Sequence, residues 1–273
     1  MENKYDIIII GTGTAGRTFT GKVSHSGLKI AIIDSREYGG TCPLRGCDPK
    51  KVLIDITEVV DSSNRLVGKG VGTDTSLTID WASLIEFKRT FTGEYPSKIE
   101  KRLVEMGIDT YHGRAYFENQ NTIVVGEDKL KGEYFFLATG AKPRKLGIPG
   151  EEYITTSEGL METKKIPGRI IFIGGGYISM EFAHVVRRAG AEVIILHRSE
   201  RILRNFDPDI VDMLIKASEA AGIKILTNKH VISIEKENNC LLVRVKSKTE
   251  SRFETQTFHA DMVVHGAGRV ADI

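Results

Sequence analysis

Cys42 and Cys47 stand five positions apart in the stretch GGTCPLRGC, residues 39–47. Two thiols so close can bind a metal, staple a fold or carry electrons. A thiol metal site calls for closely spaced Cys pairs together with a second Cys or His cluster, and here the seven histidines are scattered. A structural disulfide is uncommon in a cytosolic chain. Five residues of regular helix rise ~7.5 Å, beyond the ~7 Å between Cα atoms that a disulfide can span. A bridge therefore needs a loop or a distorted helical turn, which Pro43 and Gly46 favour. A strained, exposed bridge is the easily reduced kind, so redox chemistry is the leading reading. Cys240 lies alone between charged stretches and reads as an ordinary strand residue, since free Cys packs like a small hydrophobe.

Two nucleotide motifs flank this chemistry. The run YDIIII, residues 5–10, reads as a buried parallel strand and leads into Gly11-Thr12-Gly13-Thr14-Ala15-Gly16. A helix follows to about Ser26, then a second strand, LKIAIID, ends in Asp34. Gly11 permits the tight turn, Gly13 lets backbone approach a pyrophosphate, and Gly16 lets helix and strand pack closely. The helix N-terminus receives phosphate, and Asp34 can accept from a ribose hydroxyl. The pattern recurs at RIIFIGGGYISMEFAHVVRRAGAEVIILHR, residues 169–198, with Gly174, Gly176 and Ser179 in the three small positions. At the offset where the first copy has Asp34, the second has His197, followed by Arg198, with Arg201 and Arg204 nearby. An acid suits the free 2′-hydroxyl of NAD, whereas arginine suits the 2′-phosphate of NADP. Two unlike dinucleotides are implied, most economically FAD at the first motif and NADPH rather than NADH at the second.

Composition agrees with a globular α/β chain of two Rossmann-like dinucleotide-binding folds with β-meander insertions. At 273 residues there is room for two domains. A net charge of +2, with acids and bases interspersed, gives no sign of a nucleic-acid or membrane surface. The N-terminal apolar run is too short for a signal peptide or a membrane span, so the expected compartment is the cytoplasm. Residues 80–107 read as helical with a break near Tyr95-Pro96. Residues 110–137 read as antiparallel strands turning near Asn119-Asn121 and Gly126-Asp128. PRKLGIPG, residues 143–150, reads as a linker, and residues 229–265 read as short strands.

GGTCPLRGCDPKK, residues 39–51, set between two such motifs, resembles the redox segment of the class I pyridine nucleotide-disulfide oxidoreductases, which include glutathione reductase, dihydrolipoamide dehydrogenase and mercuric reductase. The resemblance covers essentially the whole chain. His112-Gly113-Arg114-Ala115 resembles the strand that meets the adenine of FAD, Ala138-Thr139-Gly140 the exit from the FAD domain, and TSE at 156–158 the re-entry toward the second fold. Gly268-Arg269 resembles the return strand. The resemblance implies that Cys47 lies against the flavin as charge-transfer thiolate and that Cys42 is the interchange thiol. It pairs Lys51 with Glu181 beside flavin N5 and makes Tyr177, next to Ile178, a gate over the flavin. Thr14, Ala15, Ser35, Gly40 and Thr41 complete the FAD contacts it implies. Electrons would pass from NADPH through FAD to a Cys42–Cys47 disulfide and on to a small-molecule or protein disulfide. A flavin diaphorase acting on quinones or metal ions, and a nucleotide-binding fragment without turnover, are the alternatives.

Departures narrow this. Leu44 stands where the family often has Asn. Glutathione reductases hold their substrate with Ser and Arg at the positions of Thr14 and Gly21, and Gly21 cannot hold a carboxylate. Dihydrolipoamide dehydrogenases show Glu at the His197 position, and the C-terminal cysteine pair of mercuric reductases has no counterpart. Family members continue past the GAGR segment into an interface domain whose partner-subunit His is the acid–base group for the dithiol and through which they dimerise. The expected organisation is an FAD-binding domain over 1–148, an NAD(P)-binding domain over 149–268, and the start of a return segment at 269–273. The expectation is an N-terminal portion of a longer homodimeric enzyme, or a truncated gene. His259 and His265 read as strand residues.

Overall fold

The structure is a computed structural model that describes residues 2–72, 76–248 and 253–273. In chain order the elements begin β1 (Glu2–Ile10), α1 (Thr14–Val23), β2 (Ile30–Asp34), α2 (Thr41–Arg45), α3 (Cys47–Leu66), α4 (Trp81–Thr92) and α5 (Tyr95–Glu105). Next come β3 (Asp109–His112), β4 (Ala115–Asn119), β5 (Thr122–Val125), β6 (Asp128–Leu137) and β7 (Ala141–Pro143). The remainder is β8 (Ile154–Thr155), α6 (Ser157–Met161), β9 (Arg169–Ile173), α7 (Tyr177–Arg188), β10 (Glu192–Leu196), α8 (Pro208–Ala220), β11 (Ile223–Leu226), β12 (Lys229–Glu237), β13 (Cys240–Lys248), β14 (Phe253–Ala260), β15 (Met262–His265) and β16 (Arg269–Ala271). Two compact units result. One comprises residues 1–49, 88–142 and 271–273, the other residues 50–87 and 143–270. No described helix is long and apolar enough to cross a membrane.

The first unit is built on a six-stranded sheet of order β3-β2-β1-β6-β5-β4. β3, β2, β1 and β6 run parallel, and β6, β5 and β4 form the antiparallel meander. The strand period of two divides its apolar residues between two faces. Ile8, Ala31, Ile33, Ile123 and Leu130 pack on one. Ile7, Ile9, Ile30, Ile32 and Leu103 pack on the other. Both faces are covered, which is why the sequence of β1 is an unbroken apolar run. The break expected near Tyr95 lies between α4 and α5, with Pro96 in the first turn of α5, where its missing N–H costs no helical bond.

The second unit holds a five-stranded, all-parallel sheet of order β11-β10-β9-β15-β8. Ile170 and Phe172 of β9 pack on one face with Met180, Phe182 and Val186 of α7, Leu53 of α3 and Trp81 and Ile85 of α4. Ile171 and Ile173 point to the other face and pack with Val231, Ile234, Val243 and Val245 of the antiparallel sheet β12-β13-β14.

Phe172 is fully buried and shares its cluster with Trp81, the single tryptophan of the chain. Phe172→Ala is expected to destabilise this unit by about 3–5 kcal/mol. Urea unfolding followed by Trp81 fluorescence checks it, and an unchanged midpoint contradicts this packing.

Candidate active site

In the first unit the turn after β1 is shaped by contacts that no side chain could share. Gly11 has φ +109°, and a Cβ there would lie 2.2 Å from the Ala138 carbonyl oxygen. A Cβ on Gly16 would lie 1.9 Å from the Gly11 carbonyl oxygen, and one on Gly40 (φ +76°) 2.3 Å from the Gly13 Cα. Gly13 is the N-cap of α1 and places no side chain on its first N–H groups. Bare backbone on both sides of an open helix start is a cradle for a pyrophosphate. Thr14 and Ala15 are exposed at that helix start, and Ser35, Thr41, Arg114 and Gly140 are exposed in the same unit.

Asp34 does more than await a ribose. Its Oδ2 accepts from the Thr12 N–H at 2.8 Å and the Thr12 hydroxyl at 2.5 Å, and its Oδ1 accepts from the Arg36 N–H at 3.0 Å. Thr12 is fully buried, and its hydroxyl also accepts from the Gly39 N–H at 3.0 Å. Asp34 thus ties the end of β2 to the glycine turn. A carboxylate has about four acceptor directions, so one on Oδ1 is left over for a ligand. These residues fit an FAD dinucleotide.

The dithiol lies on a broken helix. Gly46, with φ −142° and ψ −112°, separates α2 from α3, so Cys42 and Cys47 are not on one regular spiral. Both are free thiols, Cys42 half-buried and Cys47 exposed. The neighbouring Cys47 thiol pushes the Cys42 pKa up, with burial adding to the rise.

In the second unit Glu181 forms an ion pair, but its partner is Lys50 (2.6 Å), not Lys51. Successive helical residues point about 100° apart. Lys50 adjoins the buried stripe of Pro49, Leu53 and Thr57, whereas Lys51 is exposed. The other oxygen of Glu181, Oε2, is buried without a hydrogen-bond partner. Tyr177 begins α7 and is exposed.

Within this unit a cleft of about 480 Å³ opens over the second glycine turn. Gly174 (φ +101°) stands where a Cβ would be 2.4 Å from the Gly266 carbonyl oxygen. Ser179 is fully buried, and a Cβ on Gly266 would strike its hydroxyl at 1.8 Å. Tyr177, Ile178, Gly268 and Arg269 line the cleft as well. Its charged lining is one-sided: Arg144, Lys145, Arg198, Arg204, Lys229 and Arg269 border it, and among the described residues no carboxylate does. Such a cleft, with a bare-backbone turn at its floor, fits the phosphates of a nicotinamide nucleotide.

Two members of the expected basic cluster behave otherwise. The Arg201 guanidinium meets Asp212 at 3.2 Å. His197 uses both ring nitrogens on backbone. Nδ1 accepts from the Gly175 N–H at 2.9 Å, and Nε2 donates to the Arg201 carbonyl at 2.9 Å. Burial, with Arg204 and Arg198 adding to it, holds its pKa below the ordinary histidine value. His197 is therefore a neutral ring. Arg144, Lys145 and Lys229 carry charge that the sequence reading did not assign to the cleft. Arg144 is held there by its N–H to the Gly268 carbonyl (3.0 Å) and by His265 Nε2, which donates to the Arg144 carbonyl (2.8 Å). Two adjacent bases inside a linker rich in Pro and Gly were the available signal.

The sequence pattern described as pyridine nucleotide-disulphide oxidoreductase matches residues 5–273. The chain belongs to that family. Among its relatives, a mercuric reductase of Bacillus cereus is 32% identical over 97% of this chain and 42% of its own length. A dihydrolipoyl dehydrogenase of Acholeplasma laidlawii is 30% identical over 86% and 72%, and a glutathione reductase of Nostoc sp. is 30% identical over 100% and 58%. The solved HOCl-induced flavoprotein disulfide reductase RclA from Escherichia coli superposes with a TM-score of 0.81 at 29% identity, covering 97% of this chain and 57% of that one. The chain spans about half the length of most of the curated relatives it matches.

Members of this family bind FAD and a nicotinamide nucleotide, and one glycine turn lies in each of the two units here. Two predictions follow from the electrostatics of the site. Because Cys47 raises the Cys42 pKa, Cys47→Ala should move the pH profile of Cys42 alkylation by iodoacetamide to lower pH, read by peptide mass spectrometry. An unmoved profile contradicts the influence of Cys47 on Cys42. His184, His197 and His265 all have pKa values lowered chiefly by burial. Each binds its proton more weakly folded than unfolded, so their contribution to stability is complete above about pH 6.5 and is lost as pH falls through the folded values. The Tm of the second unit should fall between about pH 7 and about pH 5, and less steeply in His184→Gln. A flat Tm contradicts the burial of these rings.

Proposed function

We propose that this chain is the dinucleotide- and dithiol-bearing part of an NADPH- and FAD-dependent disulfide reductase. The observation that carries the choice of nucleotide is the cleft bordered by six cations and no carboxylate among the described residues. NADH would present a 2′-hydroxyl to a place that offers no acid to accept from it. NADPH would present a phosphate to the exposed Arg198 and Arg204, which match a phosphate in charge and donor geometry.

The chain's own thiols perform the substrate half. Cys42 loses its proton, and its sulfur attacks one sulfur of an external disulfide. That S–S bond breaks, one substrate thiolate leaves, and a mixed disulfide forms on Cys42. The Cys47 thiolate then attacks the Cys42 sulfur and expels the second substrate thiolate, so two electrons have moved and Cys42–Cys47 is now the disulfide. Bound flavin supplies the two-electron reductant that restores the dithiol at the expense of NADPH. The raised Cys42 pKa makes the first deprotonation the step that needs a base. The cytosol, where dithiols stay reduced, is the fitting compartment.

Calorimetry with NADPH and NADH on wild type and on Arg198→Ala/Arg204→Ala tests the nucleotide. Loss of two charge-assisted contacts should weaken NADPH roughly 10- to 100-fold and leave NADH unchanged. Equal wild-type affinity for both nucleotides overturns the NADPH reading. Cys42→Ser tests the thiol: disulfide reduction that survives this change overturns the reductase reading.

A further inference from the structure

His197 sits where three separate segments of the second unit meet. Its own backbone is fixed at the end of β10, the N–H donating to the Leu226 carbonyl and the carbonyl accepting from the Lys229 N–H, each at 2.9 Å. Its ring reaches in two directions, accepting from Gly175 in the glycine turn and donating to Arg201 in the loop after β10. The same loop returns to the turn through the Leu203 N–H, which donates to the Gly175 carbonyl at 3.0 Å. Leu203 adopts φ +47°, a left-handed conformation that is unfavourable for leucine and persists only where surroundings enforce it. The fit is tight: a Cβ on Gly175 would lie 2.3 Å from Ile202 Cγ2 and 3.2 Å from His197 Cγ. Immediately after Leu203 comes Arg204, on the border of the cleft.

We propose that His197 is a positioning residue whose neutral, Nε2-protonated ring locks the Arg204 loop onto the Gly174–Gly176 turn, so that acid releases the loop and weakens nicotinamide-nucleotide binding. This rests on reading the cleft as the nucleotide site. A proton added at Nδ1 would face the Gly175 N–H, donor against donor, and the bond that orients the turn would be lost. Among the described residues that line the cleft no carboxylate favours the imidazolium. The charged groups around the ring are Arg198 on its own strand end, Arg204 and Arg201 from the loop, and Lys229 and the titratable His230 at the start of β12. Of these, Arg201 is turned to Asp212 and Lys229 to Gln256. β11 meets His197 through the Leu226 backbone carbonyl. The lowered pKa of the ring agrees with this surrounding. A ring acting as a cation for a 2′-phosphate would behave oppositely, because acid would then strengthen binding.

The test is the Kd of NADH, which has no 2′-phosphate to titrate, measured from about pH 8 to about pH 5 for wild type and His197→Asn. Asparagine can accept from Gly175 and takes up no proton. Wild-type affinity is expected to fall roughly tenfold toward acid, while His197→Asn shows no such dependence. Ring nitrogen shifts in the wild-type protein should report the Nε2–H tautomer at the high end of the range and its loss over the same interval. Three results overturn the proposal: wild-type affinity that is flat or rises with acid, an equal acid dependence in His197→Asn, or an Nδ1–H tautomer at neutral pH. Failure of NADH and NADPH to bind at any pH would instead bring down the nucleotide reading of the cleft, and this proposal with it.

Discussion

A Cβ on Gly40 would stand 2.3 Å from the Gly13 Cα, and one on Gly174 2.4 Å from the Gly266 carbonyl oxygen. Both units depend on this same constraint, that two backbone segments approach more closely than any side chain permits. In the first unit the approach brings the segment before the dithiol against the turn after β1. In the second it brings the turn after β9 against the segment after β15. Each contact leaves backbone exposed at a helix start whose N–H groups have no capping side chain. The strands that lead into both turns, β1 and β9, are buried in the interior of their sheets.

The two turns are then braced by different chemistry. In the first, a carboxylate does the tying: Asp34 takes two bonds from Thr12 and one from Arg36. In the second, a neutral imidazole does it, through Gly175 and Arg201. The difference follows the charge around each. A carboxylate at the second turn would face six bordering cations; an uncharged ring adds no charge among them. Acid and imidazole at equivalent strand ends thus both brace the turn beside them.

The dithiol obeys a related logic. A continuous helix through Cys42 and Cys47 would set the thiols apart along its axis, and the irregular backbone at Gly46 breaks that helix between them. Helix α3 resumes at once, so Pro49, Leu53 and Thr57 form its buried stripe and Lys50 meets Glu181.

By itself the sequence determined the recurrence of the glycine turn, the glycines at each copy, the strand runs, the helix break before Pro96 and the five-residue spacing of two thiols. These are local properties: periodicity, spacing and residue type over a few positions. Only the tertiary structure decided which of two adjacent lysines faces Glu181, because that depends on the azimuth of α3 and on a residue 131 positions away. Tertiary contacts alone also placed Arg144, Lys145 and Lys229 around the cleft, and they turned His197 from a candidate cation into a neutral brace. Charge on a histidine is a property of its surroundings. Those surroundings here come from the turn after β9, the loop after β10 and the ends of β11 and β12, segments that folding alone brings together.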